Sequence, residues 1–347
     1  MIMSELLVSV IIPCRNEEQF IENCLDTILA QDLPINDFEI LIVDGQSNDQ
    51  TRDLIQKYAN NQTNIKVLNN PHKIVPTALN IGIRESRGKF IMRMDAHNRY
   101  EKEYISKCLK YSNEYGADNV GGICLTLPGK NSTMGKSIAL GSSHPFGVGN
   151  AYFRIGLKKP KEVDTVPFGC YKREVFKKVG LFDEDLIRNQ DDEFNLRIIK
   201  NGGKVLLVPE IVSYYYARDT LKKLWKMYFQ YGYFKPLVAR KIGSVLTWRQ
   251  LAPAIFISLL LSSGIFTLFS RPFLLIFLFF LISYLVVNLG VSAAIALRKG
   301  KKLILTLPLV FFTLHFSYGL GYLKGILHFI LLKKDRNENM RDIPITR

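Results

Sequence analysis

Acidic side chains almost disappear from the C-terminal part of the chain. Four of the 31 Asp and Glu residues lie beyond Ala217, against 19 of the 46 Lys and Arg. Residues 1–217 hold 27 of each sign, so the formal net charge of +15 belongs entirely to the later residues, which are also the most apolar. A nucleic-acid-binding protein needs its positive charge on the surface that meets phosphates, and that class is disfavoured here. Anionic lipid headgroups suit a basic, apolar segment better. Cysteine is sparse too: five residues, all before the hydrophobic part, with no C-x-x-C spacing. That excludes a disulfide scaffold or a zinc ribbon and predicts reduced, mostly buried thiols in a cytosolic compartment. Met1 to Val10 lacks a positive n-region ahead of its apolar stretch, so no signal peptide is expected. The hydrophobic part has few spans and no evident intramembrane ion pair, which weighs against a transporter.

What is present is an alternation of short apolar runs with helical patterns. Leu6 to Pro13 reads as a strand buried on both faces, with Asn16 capping a helix whose first turn holds Glu17 and Glu18. Phe38 to Val43 is a second strand, ending in Asp44; Ile65 to Leu68 is a third. The run F-I-M-R-M-D-A-H, Phe90 to His97, is a fourth that stops at Asp95. Helices are predicted between them and over Tyr104 to Tyr115. This order implies an α/β fold: a Rossmann-like, mostly parallel sheet with helices on both faces. Such sheets bind ligands beyond the carboxyl ends of their strands, so Asp44 and Asp95 should line one crevice. Pro128 to Pro167 is glycine-rich with little periodicity and reads as a long loop with one short helix, mobile over the crevice. Gln190 to Lys200 is a helix with an acidic start, Asp191-Asp192-Glu193, and Lys204 to Val208 a further strand.

Asp95 and His97 stand two apart where strand becomes loop. A carboxylate and an imidazole there suit a divalent cation, and the cation suits a diphosphate. The alternative is an ordinary strand-end Asp beside a solvated His. Likewise, acids at a helix start are common for stability alone.

The later residues divide further. Arg218 to Arg249 carries eight basic residues and one acidic, with Leu221, Leu224, Trp225, Tyr228 and Phe229 at helical spacing. This predicts a basic amphipathic helix, lying on the cytoplasmic leaflet or packed on the domain. Ala252 to Leu297 contains one charged residue, Arg271, beside Pro272. A bilayer core takes about 20 residues per helix, so two spans fit. The expected organisation is a cytosolic domain over 1–217, the basic amphipathic region over 218–250 and a hydrophobic membrane domain over 251–332. The last contains spans at 252–270 and 272–297 and a third hydrophobic segment at 303–331; a basic polar tail, 333–347, follows. Arg298 to Lys302 should be cytoplasmic, which places the chain in the cell membrane as a multi-pass protein with its soluble domain facing the cytoplasm.

The motifs S-V-I-I-P-C-R-N-E, V-D-G-Q-S-N-D-Q-T, R-M-D-A-H, F-G-C-Y-K-R-E-V-F-K-K-V-G-L-F-D-E and Q-D-D-E-F-N-L-R occur in that order between about Leu7 and Ser213. Together they resemble inverting family 2 glycosyltransferases of the GT-A fold, in particular bacterial exopolysaccharide enzymes of the succinoglycan glucosyltransferase type. The resemblance implies that Pro13, Arg15 and Glu17 lie beside the base and ribose of a nucleotide-sugar donor, a UDP-sugar first, with Asp44 on the same side. It implies that Asp95 and His97 hold Mg²⁺ or Mn²⁺ against the diphosphate. Asp191 would be the catalytic base, since Arg197 lies six residues after it as in the family's E-D-x-E-L-x-x-R pattern; Asp192 is the fallback. Three positions depart from the family: His97 stands for a second carboxylate, Gly45 for a second Asp, and Gln190 for a Glu.

These readings predict transfer of a sugar to a polyprenyl-diphosphate-linked glycan in exopolysaccharide or surface-glycan synthesis, with Arg218, Lys222 and Lys226 as candidates for the acceptor phosphates. One alternative makes polyprenyl phosphate itself the acceptor. Another, of a different class, is a non-catalytic nucleotide-binding membrane scaffold. The oligomeric state is left open, with a homo-oligomer among the partners considered.

Overall fold

The computed structural model describes residues 6–243 and 247–334 of the chain. In chain order the elements are β1 (Val8–Cys14), α1 (Ile21–Leu29), β2 (Phe38–Asp44), α2 (Thr51–Asn61), β3 (Ile65–Asn69), α3 (Val75–Glu85), β4 (Phe90–Arg93), β5 (Asn98–Tyr100), α4 (Tyr104–Tyr115) and β6 (Asn119–Leu127). There follow α5 (Thr133–Gly141), α6 (Pro145–Val148), α7 (Tyr152–Ile155), β7 (Lys161–Glu162), β8 (Cys170–Lys172), α8 (Arg173–Val179), α9 (Gln190–Lys200) and β9 (Val205–Tyr216). The remaining helices are α10 (Leu221–Ile242), α11 (Trp248–Phe266), α12 (Arg271–Lys299) and α13 (Leu307–Gly325), which runs into a π-helical turn, Ile326–Leu331. The chain forms two compact units: residues 6–125 with 156–215, and residues 126–155 with 216–334.

The first unit is built on one mixed sheet of order β3-β2-β1-β4-β8-β6-β9-β5, with β7 pairing β9. β3, β2, β1 and β4 are parallel neighbours, joined through helices as strands of this kind must be. β1 and β2 are buried at every position, which explains their mostly apolar runs; two buried polar exceptions, Ser9 and Glu39, hydrogen-bond each other at 2.7 Å. β8 then pairs antiparallel with both β4 and β6. Of the antiparallel half, β6 is hidden in the sequence by Gly121-Gly122, which reads as a breaker. A side chain at Gly122 would overlap the Ile211 carbonyl of the neighbouring β9, so glycine is what allows the strands to approach there.

The second unit is helical. The segment expected as a mobile loop instead supplies α5, α6 and α7. It is fixed by Ser137 Oγ to Thr306 Oγ1 at 2.6 Å, by His315 Nε2 to the Phe146 carbonyl at 2.6 Å, and by Phe146 packing edge-on to Phe311. Periodicity failed there because α6 and α7 have four residues each, and α5 buries mostly small residues, Gly135, Ser137, Ala139 and Gly141, that leave no apolar stripe. α13 is buried against α10; a Cβ on Gly321 would overlap the Phe229 carbonyl, so this glycine serves close helix approach rather than helix breaking. Among the described residues two helical stretches are long and apolar enough to cross a membrane, Arg249–Phe266 and Arg271–Lys299. α13, by contrast, buries Leu307, Val310, Phe311 and Leu314 in protein. From residue 335 the basic tail lies outside the described residues.

Candidate active site

Parallel pairing brings the carboxyl ends of β1, β2 and β4 to one edge of the sheet, with Cys14 opposite Asp44 and Ile11 opposite Arg93. Asp44 is buried there, and its carboxylate accepts from the Ser47 hydroxyl at 2.6 Å and the Ser47 backbone N–H at 3.1 Å. Pro13 lies within β1 opposite Val43. Arg15 is exposed on the loop that follows.

That loop differs from expectation. Asn16 does not cap α1; it takes a left-handed backbone, φ 54°, and Phe20 precedes the first helical turn. Asparagine tolerates this region better than most residues. The Asn48 N–H donates to the Asn16 side-chain oxygen at 3.0 Å, while the Asn16 N–H donates to Ser47 Oγ at 3.0 Å. Glu17 and Glu18 are likewise tied across by their N–H groups, to Thr51 Oγ1 at 2.7 Å and to Asp49 at 3.4 Å. The β1–α1 and β2–α2 loops are therefore laced into one rim.

Asp95 sits just beyond β4. The Arg93 guanidinium donates to both its oxygens, Nε to Oδ1 at 2.8 Å and Nη2 to Oδ2 at 3.0 Å, and Tyr100 OH meets its backbone N–H at 2.7 Å. Burial alone would raise the Asp95 pKa; Arg93, helped by His97 and Arg188, outweighs it and holds the carboxyl below its ordinary value. His97 points Nδ1 at Glu17 Oε1, 3.1 Å away, and its ring lies edge-on to Tyr215. Beneath this surface Cys14 and Cys24 are buried free thiols. Burial pushes both up, reinforced by Asp44 and Glu17 at Cys14 and by Asp95 and Glu17 at Cys24, so both stay protonated.

Asp191 and Asp192 open α9, after Asn189 in a left-handed backbone. The Asp191 carboxylate accepts from the Asp192 N–H at 3.1 Å. Desolvation would lower the Arg93 pKa, but Asp95 and then Asp191 outweigh it and hold it above its ordinary value, so one guanidinium feels both acids. α9 is anchored from below: Phe194 stacks on Phe182 at 4.4 Å and meets Phe176 and Tyr171. Arg197 pairs with Glu193, Nε to Oε1 at 2.6 Å, and donates to the Val179 and Leu181 carbonyls. It thus fixes the helix to the turn after α8.

The sheet edge therefore gathers Asp44, Glu17, Asp95, His97 and Asp191 in the first unit. Arg218, Lys222 and Lys226 belong to the second; Arg218 is buried, and the two lysines are exposed one turn apart on α10. Arg93 escaped the sequence reading, although a charged residue inside an otherwise apolar strand is the signal that could have found it. Among the described residues no three His, Cys, Asp or Glu side chains form a self-sufficient cation cage. A carboxylate beside an imidazole, 15% and 21% exposed at the side chain, fits an ion completed by substrate oxygens and water.

The model of the glycosyl transferase family 2 matches residues 9–180. A curated relative from Methanococcus voltae is 33% identical over 329 residues, 92% of this chain and 97% of its own. Its name is dolichyl N-acetyl-alpha-D-glucosaminyl phosphate 3-beta-D-2,3-diacetamido-2,3-dideoxy-beta-D-glucuronosyltransferase. The chain belongs to glycosyl transferase family 2. This family 2 enzyme is also 29% identical over 225 residues to the succinoglycan biosynthesis protein ExoA of Rhizobium meliloti, covering 64% of this chain and 67% of that one. Among solved structures it shares its fold with a Pyrobaculum calidifontis mannosyltransferase in complex with GDP-Man and Mn²⁺, at TM-score 0.60 and 17% identity over 90% of this chain and 86% of that one. It likewise resembles Staphylococcus aureus TarS 1–349 with UDP-GlcNAc, at TM-score 0.51 and 19% identity over 91% and 90%. The α/β fold and the resemblance read from the motifs are both borne out.

Proposed function

We propose that this glycosyltransferase is a membrane-bound, inverting, divalent-metal-dependent enzyme that moves a sugar from a nucleoside-diphosphate donor, a UDP-sugar first, to a polyprenyl-linked glycan at the cytoplasmic face. The observation that carries the reading is Asp95 gripped by Arg93, with His97 bearing on the same carboxylate and Asp191 of α9 bearing on the same guanidinium. Relatives named for a dolichyl-linked sugar phosphate and for succinoglycan biosynthesis support the acceptor class. Complexes of fold relatives with GDP-Man and UDP-GlcNAc support the donor class.

Pro13, Arg15, Glu17 and Asp44 line the donor end of the crevice, with Asp44 fixed by Ser47. Asp95 and His97 would hold the divalent ion, whose positive charge would then offset the negative charge of the departing diphosphate. Asp191 takes the proton of the acceptor hydroxyl as that oxygen bonds to the sugar C1 and the C1–O bond to phosphate breaks on the opposite face. General-base help of this kind is worth about 10²–10⁴-fold. Attack from the opposite face inverts the anomeric centre.

The hairpin of α11 and α12 anchors the chain, and Arg298 to Lys302 remain on the cytoplasmic side. Lys222 and Lys226 then meet acceptor phosphate at the lipid surface, with Arg218 supporting that region from within. The test is a donor screen of the full chain in membranes: UDP-glucose, UDP-galactose and GDP-mannose, with and without Mn²⁺. Each is paired with polyprenyl phosphate or a polyprenyl-diphosphate sugar. Metal-stimulated transfer to the second lipid supports the reading. Transfer to polyprenyl phosphate alone would replace the acceptor, and no transfer from any donor would overturn it.

A further inference from the structure

The reading of Asp95 and His97 as a donor pair leaves a deficit. Where a second carboxylate would contribute a negative charge, His97 brings an imidazole, which offers a metal no negative charge. The structure supplies the missing charge one residue further out. Glu17 Oε1 lies 3.1 Å from His97 Nδ1, with side chains only 9% and 21% exposed. A carboxylate oxygen only accepts, so this contact is a hydrogen bond when Nδ1 carries the hydrogen. Nε2 then keeps its lone pair, and the ring becomes a stronger donor because the carboxylate draws on its N–H. The Tyr215 ring, edge-on with centroids 5.9 Å apart, limits the ring's swing on another side.

Glu17 is itself held rigidly. Its N–H donates to Thr51 Oγ1 at 2.7 Å, and its carbonyl accepts from Phe20 and Ile21, both at 2.9 Å. We propose that Glu17 is a positioning residue for His97: it selects the tautomer and rotamer that present Nε2 and restores the charge that the imidazole lacks. This rests on the proposed metal site, and it gives Glu17 a task other than contact with the nucleotide base. A residue on the donor-binding loop would thereby set cation affinity, so that the nucleotide and metal ends of the crevice are built as one piece.

The experiment uses the full chain in detergent with UDP, titrated with Mn²⁺ while free Mn²⁺ is followed by electron paramagnetic resonance. Glu17→Gln, nearly isosteric, should weaken Mn²⁺ binding about 10- to 100-fold, a larger loss than any in metal-free UDP affinity, with the thermal midpoint kept. In a His97→Asp background the same substitution should cost nothing further, because no ring remains to be aimed. Asp95→Asn should abolish Mn²⁺ binding. Unchanged Mn²⁺ affinity in Glu17→Gln, with binding lost in Asp95→Asn, overturns the positioning role and leaves the metal site standing. A loss of metal-free UDP affinity with Mn²⁺ affinity kept would return Glu17 to the nucleotide and also overturn it. If Asp95→Asn and His97→Ala both bind Mn²⁺ normally, the metal site itself falls, and the inference with it. A Glu17→Gln loss that persists undiminished in the His97→Asp background marks a merely structural residue.

Discussion

The Arg93 guanidinium grips both carboxylate oxygens of Asp95, from 2.8 and 3.0 Å, with the two side chains only 11% and 15% exposed. The pair holds the strand end in shape before any ligand arrives.

Breaking it should be costly. Arg93→Met strands a buried carboxylate, and losing one partner of such a pair costs about 3–5 kcal/mol. The native Asp95 pKa is depressed, so the pair's contribution is complete above the unfolded carboxyl value, about 3.9, and is lost as pH falls through the lower native value. In Arg93→Met the penalty should therefore grow as pH rises from the acid range toward neutrality. Thermal unfolding from pH 3 to 7 checks this, and Arg93→Met/Asp95→Asn should remove most of the dependence.

Asp191→Asn removes the proposed base while keeping the opening of α9. Transfer should fall by about 10²–10⁴-fold, with UDP affinity nearly unchanged by calorimetry. If Asp191→Asn turns over normally and Asp192→Asn does not, the role moves one residue along the helix.

Gly321 faces the Phe229 backbone across the α10–α13 contact. Gly321→Ala should destabilise the helical unit by about 1–3 kcal/mol, the usual range for overpacking. A lowered thermal midpoint in detergent is the readout, with Gly290→Ala, which has open space around it, as the neutral comparison.

Lys222 and Lys226, exposed one turn apart, should matter for a lipid-borne acceptor and little for the donor. Charge reversal of both should cut transfer to a polyprenyl-linked acceptor by at least about 30-fold, given about 1 kcal/mol per basic residue at an anionic surface. Hydrolysis of the donor by water is the internal control, and equal losses in the two reactions would refute the assignment.

Much of the parallel half was legible, because β1 and β2 are buried on both faces and the runs through β2 and β4 stop at Asp44 and Asp95. α4 was readable over its full length, Tyr104–Tyr115. The antiparallel half was less so: Gly121-Gly122 disguised β6 because the reason for glycine there is the nearness of Ile211, a contact far away in sequence. Asn16 looked like a cap because its residue type suits one, but its side chain serves the neighbouring loop. Arg197 marks the α9 motif by spacing, yet its physical partners are Glu193 and two carbonyls. What a residue pairs with depends on chain crossings that local pattern does not encode.

The laced rim formed by Asn16, Ser47, Asn48 and Thr51 has a further consequence. Two loops that would otherwise have to be stilled by an arriving donor are already fastened to each other, so little ordering entropy is left to lose on association. A damaged fastening, Ser47→Ala for example, would be felt first as slower capture or faster escape of the nucleotide, well before the chemistry suffered.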